Sequence, residues 1–387
     1  MEPAGVEVPI VWRGRRARAF VPTPLAARDL GLTPDAIART ARAQAAVEHG
    51  AETMPADFTA LARLLLRAEG VASSFIEGVT APVVEIVLAE ADEDPAPSAA
   101  AWVAANLAAV AEAVADAEAA PLTVDLLCTW HRTLMTGSPT PARHVGAVRT
   151  EQGWIGGTSP LDAHLVTPPP EEVPRLLDDL VAYANRDDVD AVTQAAIAHA
   201  QLEVIHPFAD GNGRVGRILI AWLLVRRLAL VTPPPVSTMI AGDVGGYASG
   251  LVRFRLGDHD GWVRWFADAV SGAGRAQQDL VAAVDELQRV WRQRLGAPRD
   301  GTTRLRRDAA AWRVLDLLPS HLLLTGPVVA SELGIPLKSA VAALRDLVAA
   351  DVLVEHGTRR PERAGRPSVL YTSPELLGLT GSSPLRA

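Results

Sequence analysis

Apolar positions along this 387-residue chain recur at helical rather than strand spacing. Val103, Leu107, Val110 and Val114 stand at steps of four, three and four, which places them on one helical stripe. Pro121 and Thr123 punctuate the pattern before a further helix around Leu126 to Met135, so the spacing predicts a helical hairpin over 98–136. Helices follow at about 171–185 and 190–205. Val215, Ile218, Leu219, Trp222 and Leu223 then fall at i, i+3, i+4, i+7 and i+8, predicting a buried helix that begins close to Gly213. A long polar–apolar helix from about Gly261 to Gln293 has the length to join two domains. Alternating β-branched runs are scarce, so the fold class is mainly α. Between Gly146 and Pro170 the texture changes to Val148, Trp154, Ile155, Gly156-Gly157 and Pro168-Pro169-Pro170, which predicts a short hairpin and a rigid loop.

Length implies two or three units sharing a large core. Apolar residues make up 49% and charged ones 21%, too apolar for wholesale disorder, and the longest uninterrupted apolar stretch, Ile218 to Val225, is short for a bilayer span. The first twenty residues mix Glu2 and Glu7 with Arg13, Arg15, Arg16 and Arg18 and lack an apolar signal core. Together with a single cysteine, Cys128, this points to a soluble cytoplasmic protein with no membrane partner. The chain has one lysine, Lys338, so a Walker-type phosphate loop is excluded and any nucleotide must be held by arginines and backbone amides. The net charge is −8, yet residues 301–387 hold 11 basic and 8 acidic side chains, so the acidic excess lies wholly upstream.

Chemistry concentrates between 206 and 217, His-Pro-Phe-Ala-Asp-Gly-Asn-Gly-Arg-Val-Gly-Arg. Proline disfavours the α conformation in the residue before it, so the preceding helix ends near His206 and the segment is a loop opening a new helix. A helix N-terminus offers unpaired N–H groups and partial positive charge, and Gly211 and Gly213 let an anion approach without Cβ clashes. Arg214 and Arg217, three apart, are suited to grip phosphate oxygens in pairs, which fits a polyphosphate better than a single phosphate. Asp210 is a hard oxygen ligand suited to Mg²⁺ shared with phosphate. His206 can take a proton from a hydroxyl near neutral pH. Taken singly, each has a plainer reading: a structural histidine at a helix end, Asn212 as an N-cap, a weak Gly-x-Gly. An EF-hand from Asp210 is excluded by Val215 and Ala221 at its glycine and glutamate positions.

This string resembles the Fic family signature, H-P-F-x-[D/E]-G-N-G-R-x-x-R, at every fixed position. The resemblance implies a helical Fic core that transfers AMP from ATP, with Mg²⁺, to a Ser, Thr or Tyr hydroxyl of a protein target or of itself. It implies His206 as general base, Asp210 as metal ligand, Gly211, Asn212 and Gly213 as the phosphate nest, Arg214 and Arg217 as clamps, and Phe208 as a buried anchor. Gly146 to Arg149 followed by Trp154, Ile155, Gly156 and Gly157 resembles the family's flap hairpin, which receives a target segment by strand addition.

Upstream, Ser73-Ser74-Phe75-Ile76-Glu77-Gly78 admits two readings. Ser74 and Glu77 form a capping box that would start a helix. Alternatively, Ser73, Glu77 and Gly78 resemble the inhibitory motif [S/T]-x-x-x-E-[G/N] of Fic proteins, in which Glu77 would pair with Arg217 and block productive ATP binding. Residues 308–372 resemble a winged helix-turn-helix, with helices around Thr325 to Leu333 and Leu337 to Ala350, a turn at Gly334-Ile335-Pro336, and a wing bearing Arg359, Arg360, Arg363 and Arg366. Only Lys338, Ser339 and Arg345 punctuate the recognition helix, so protein docking or homodimer formation is favoured over DNA.

The expected organisation is an N-terminal helical region with the inhibitory helix at 1–95, a Fic core at 96–272, a connecting helix and linker at 273–300, a winged helix domain at 301–375 and a tail at 376–387. Two alternatives to AMP transfer stand: an AMP-removing hydrolase or a transferase using another nucleotide donor, and a DNA-binding regulator whose Fic core only senses nucleotide.

Overall fold

The computed structural model describes residues 4–54, 59–92, 95–297, 305–306, 308–359 and 368–380. It is mainly helical with short strands, as the spacing predicts. The first elements are not helical, however: β1 (Gly5–Trp12) and β2 (Arg15–Pro22) pair antiparallel in full register around an Arg13-Gly14 turn, both residues at positive φ. The two-residue alternation of Val6, Val8 and Ile10 is that of a strand, so helix in the N-terminal region starts only at Pro34.

Helix α1 (Pro34–Glu52), capped by Thr33, lies against α11 (His259–Gly296). The two backbones come close enough that a Cβ on Gly274 would lie 2.6 Å from Ala46 O. Helices α2 (Thr59–Ile76) and α3 (Val83–Glu90) precede the expected helical hairpin, α4 (Ala99–Ala119) and α5 (Val124–Leu134), capped by Ser98 and Thr123. By length and composition α4 could cross a membrane. Here it packs against α2, α3 and α5 and against α8 (Asn212–Leu228), burying Val103, Leu107 and Val110.

The centre of the molecule is the pair α7 (Ala191–Ile205) and α8. Every residue of α7 is buried, including Gln194, His199, Gln201 and Glu203, which is why its apolar positions form no single stripe. Around it sit α6 (Val173–Ala184), α9 (Val236–Gly242), α10 (Val244–Arg255) and the first half of α11. The short strands β3 (Trp154–Ile155) and β4 (Leu165–Val166) form the predicted hairpin.

A second hydrophobic cluster gathers α12 (Ala310–Leu317), α13 (Gly326–Leu333), α14 (Leu337–Val348) and the antiparallel pair β5 (Val354–Arg359) and β6 (Ser368–Thr372), closed by α15 (Pro374–Thr380). α13 and α14 meet at 112° across Gly334 at φ 60°. Arg360, Arg363 and Arg366 of the expected wing lie outside the described residues, as does most of the expected linker beyond Gly296. Two elements cross the expected boundaries. α11 serves the first cluster through Val270 and Ala273 and the second through Val284, Trp291 and Leu295; α2 sends Leu61 and Leu64 into the second cluster while its other end reaches the functional motif.

Candidate active site

The motif begins where α7 is forced to stop. His206, followed by Pro207, adopts φ 52° and ψ 61°, a left-handed conformation unusual for a non-glycine residue. Its amide still donates to Leu202 O at 2.8 Å. The strained turn is held by Arg149, whose Nε donates to His206 O at 2.7 Å while its Nη2 reaches Pro168 O, Thr167 Oγ1 and Ile205 O. Arg149 is buried, and its own amide donates to Pro207 O. It therefore fixes both the base of the flap and the backbone of His206.

From Phe208 to Asn212 the loop closes on itself. Asn212 Oδ1 accepts from Phe208 N at 2.8 Å and its Nδ2 donates to Phe208 O at 2.9 Å. Asn212 is thus a buried brace inside the first turn of α8, whereas the N-cap position is Gly211 at φ 76°. Phe208 is buried as expected and stacks on His131, with ring centroids 4.1 Å apart. His131 Nδ1 accepts from Gly146 N at 2.8 Å, so Nε2 carries the proton and donates to Asp210 O at 3.0 Å. Burial keeps that ring neutral by lowering its pKa to about 4.

His206 presents the matching half of the chemistry. Its Nδ1 lies 3.3 Å from Glu203 O and donates to it, leaving Nε2 as the free lone pair. Desolvation, with Arg149 nearby, lowers the ring's pKa to about 4, so the imidazole is neutral at physiological pH, with Nε2 unprotonated. The ring opens on a cleft of about 220 Å³ shared with Phe208, Ala209, Gln152, Gly153 and Trp154. Trp154 and Ile155 pair with Val166 and Leu165, and this two-stranded sheet has no third strand among the described residues. Gly156 and Gly157, at φ 70° and 69°, make the turn beyond it. A Cβ at Gly156 would meet the His164 ring at 2.6 Å, so glycine is required there on two counts.

On the other side of the turn lies the anion seat. Arg217 is buried, and its Nε and Nη2 donate to Ser73 Oγ and Ser73 O, each at 3.0 Å. Nη2 also donates to Glu77 Oε1 at 2.7 Å. The α2 helix ends at Ile76 and Gly78 turns at φ 75°, which swings Glu77 over α8. A Cβ on Gly213 would overlap Glu77 Oε1 and lie 3.1 Å from Arg217 Nη1. The carboxylate therefore rests on the positive end of α8, where an anion would sit. Ser74 lies in the last turn of α2, with its Oγ accepting from Asn106 Nδ2, so the capping-box reading is overturned: the segment ends a helix instead of starting one.

Two buried guanidinium nitrogens here, Arg214 Nε and Arg217 Nη1, find no hydrogen-bond partner among the described residues. Arg214 otherwise touches Met135 Sδ at 3.8 Å and Asp210 Oδ2 at 3.9 Å. These orphaned donors beside a glycine cradle fit phosphate oxygens. Asp210 is well exposed, with Oδ1 accepting from Gly211 N and Oδ2 lightly engaged by Thr140. Among the described residues no group of three or more His, Cys, Asp or Glu could hold a metal alone. A single carboxylate beside a phosphate seat suits Mg²⁺, which takes much of its shell from phosphate and water.

Arg149 and His131 were not legible as site residues, because each works through backbone atoms that no spacing rule reveals. A buried polar group behind Gly216 was also missed: Glu203 and His199 both crowd that glycine, and His199 Nε2 lies 2.9 Å from Tyr247 OH. Burial raises Glu203 to about 8 and lowers His199 to about 3.

Residues 121–224, which contain the whole 206–217 turn, match the Fic/DOC family. The chain carries a Fic domain. Protein adenylyltransferase fic-1 of Caenorhabditis elegans is 33% identical over 149 residues, covering 38% of this chain and 27% of that protein. The probable protein adenylyltransferase aq_aa38 of Aquifex aeolicus is 51% identical over 59 residues, 15% of this chain and 18% of the relative. The chain thus matches about a quarter or less of these relatives' lengths. Among solved structures, a Fic family protein from Desulfovibrio desulfuricans G20 superposes with a TM-score of 0.54 at 22% identity, covering 88% of this chain and 96% of that one. A fragment of Fic-1 from C. elegans gives 0.51 at 20%, covering 64% and 73%. These likenesses establish that the helical architecture around the Fic domain is that of Fic proteins.

Proposed function

We propose that this Fic-domain protein is an adenylyltransferase that transfers AMP from ATP to a Ser, Thr or Tyr hydroxyl of a protein target, itself included. The observation that carries the reading is the pairing, across one turn, of a neutral imidazole with a free Nε2 and an arginine-lined glycine cradle. In this reading the triphosphate lies along Gly211 to Gly213 with Arg214 and Arg217 on its oxygens. The hydroxyl oxygen attacks the α-phosphorus, its proton passes to His206 Nε2, and the bond to the β-phosphate oxygen breaks to release pyrophosphate. Asp210 would hold Mg²⁺, which when bound neutralises phosphate charge. Trp154 to Gly157 would receive the target as an added strand, supported by the free edge of β3 beside the cleft that His206 lines.

We further infer that Ser73, Glu77 and Gly78 form a brake. The carboxylate sits where a phosphate would sit and engages the arginine that would bind it, so nucleotide and Glu77 compete for one seat. The C-terminal helices and hairpin are read as a winged helix used for protein docking, because α14 exposes only Lys338, Ser339 and Arg345 as polar contacts for bases. A cytoplasmic location is supported by the single cysteine.

The deciding experiment incubates the full chain with ATP, Mg²⁺ and a cell extract and reads AMP adducts by mass spectrometry. Adducts on protein hydroxyls that vanish in His206→Ala are expected. No adduct from either the wild type or Glu77→Gly, with both folded, would overturn the transferase reading.

A further inference from the structure

The N-terminal hairpin is not a free appendage. Trp12, at its tip, packs edge-on against Trp154 of the flap with ring centroids 5.4 Å apart, and β2 lies against β4. Trp154 lines the same cleft as His206, so an aromatic bridge connects that cleft to the hairpin tip. The tip is strongly cationic. Arg13 lies over the Trp12 ring at 5.4 Å. Arg15 is the direct cross-strand partner of Trp12, and directly paired residues project from the same sheet face. Arg16 pairs with Val11 on the reverse face, and Arg18 is engaged by Glu7 at 2.6 Å. Arg13 and Arg15 are exposed, and neither makes an ion pair among the described residues. Arg255 Nη1 donates to His164 O at 3.2 Å, placing a third cation near the flap's turn.

The acidic groups of the flap do not neutralise this. Asp162 is occupied by the amides and hydroxyls of Thr158 and Ser159. Glu151 lines the cleft beside His206. An incoming strand would thus meet a carboxylate near the reacting hydroxyl and two guanidinium groups beyond Trp154.

We propose that the N-terminal hairpin extends the target-docking surface, with Arg13 and Arg15 selecting acidic side chains about three to five residues from the modified hydroxyl, at ~3.3 Å per extended residue. The inference rests on the reading that this Fic domain modifies protein hydroxyls. The occupant is an extended acidic segment of a protein rather than a nucleic acid, because the cationic tip meets the flap through the Trp12–Trp154 contact, beside a two-stranded sheet whose unpaired edge suits an added peptide strand.

The test separates docking from chemistry by using the full-length His206→Ala protein. Fluorescent peptides with one central Thr or Tyr are compared by anisotropy, with flanking Asp, Lys or Ser at the third to fifth positions. The acidic peptide is expected to bind about tenfold tighter than the neutral one at low salt, the margin shrinking as salt rises. Arg13→Glu with Arg15→Glu should erase or invert that preference, Arg13→Lys with Arg15→Lys should largely keep it, and Arg16→Glu, on the reverse face, should leave it. Equal affinities, a preference that survives the double reversal, or an equal loss in Arg16→Glu would overturn the proposal, as would tighter binding of a DNA or RNA oligonucleotide at the tip. Acid preference without AMP transfer by either the wild type or Glu77→Gly would sink the transferase reading and leave the surface standing; transfer without preference would do the reverse.

Discussion

Replacing Glu77 by glycine removes one hydrogen-bonded ion pair, 2.7 Å long, between a carboxylate that is 38% exposed and a guanidinium that is 1% exposed. A fully buried pair broken on one side costs about 3–5 kcal/mol and an exposed one under about 1 kcal/mol, so this half-exposed contact is worth about 1–3 kcal/mol. Arg217 keeps Ser73 Oγ and Ser73 O in the variant, so its side chain stays in place while the seat over Gly213 empties. If ATP must displace the carboxylate to bind productively, the same 1–3 kcal/mol returns as about 5–150-fold in transfer rate at limiting ATP. The assay is AMP incorporation measured against ATP concentration, with a parallel titration of ATP in the His206→Ala background. Glu77→Gln separates two contributions, since it fills the same space without charge: a variant still slow would assign inhibition to occupancy, and one as fast as Glu77→Gly would assign it to charge. Unchanged incorporation and unchanged ATP affinity in a folded Glu77→Gly protein would refute the competition argument outright.

Three further outcomes follow from the turn itself, and a fourth from the buried titratable groups around it. Asn212→Ala would strand the buried Phe208 N–H and C=O together, lowering stability by about 2–4 kcal/mol in a denaturant melt; Asn212→Asp, which restores only the acceptor, should recover part of it. Gly213→Ala should lower AMP transfer because the methyl occupies the phosphate seat, and the fold loss should be larger in the Glu77→Gly background, where no displaced carboxylate offsets it. With His206 lowered to about 4, kcat/KM should be level through neutral pH and fall only below pH ~5. Stability carries two opposed slopes: His206, His131 and His199, depressed below their unfolded value of 6.5, weaken the fold as pH drops towards about 4, whereas Glu69 and Glu203, raised by burial to about 7 and about 8, weaken it as pH climbs from 4.5 through those values. Glu69→Gln should therefore flatten part of the upper limb of a stability–pH curve, leaving the part due to Glu203.

The 206–217 turn was readable because its chemistry is consecutive: stop signal, acid, glycines and arginines all fall within one loop and one helical turn. The helices were readable from spacing, although α7 gave no stripe because all its faces are covered. The N-terminal hairpin escaped notice because its alternation is carried by few apolar residues opposite an arginine run, and its turn is Arg-Gly rather than a strong hairpin pair. Glu77 and Arg217 are 140 residues apart, so their contact could be expected only through resemblance. Arg149 binds carbonyl oxygens, which every residue possesses, so sequence gave it no mark beyond its place near the flap.

Helix α2 belongs to two hydrophobic cores at once. Leu61 and Leu64 are packed among the C-terminal helices, while Ser73 at the far end holds Arg217 of the Fic motif. Loss of order in the C-terminal cluster exposes two leucines of the very rod that carries Glu77, so the regions should melt in one calorimetric transition rather than two. Heating or mutation at the C-terminal end should therefore be registered at the 206–217 turn, more than a hundred residues away in the chain.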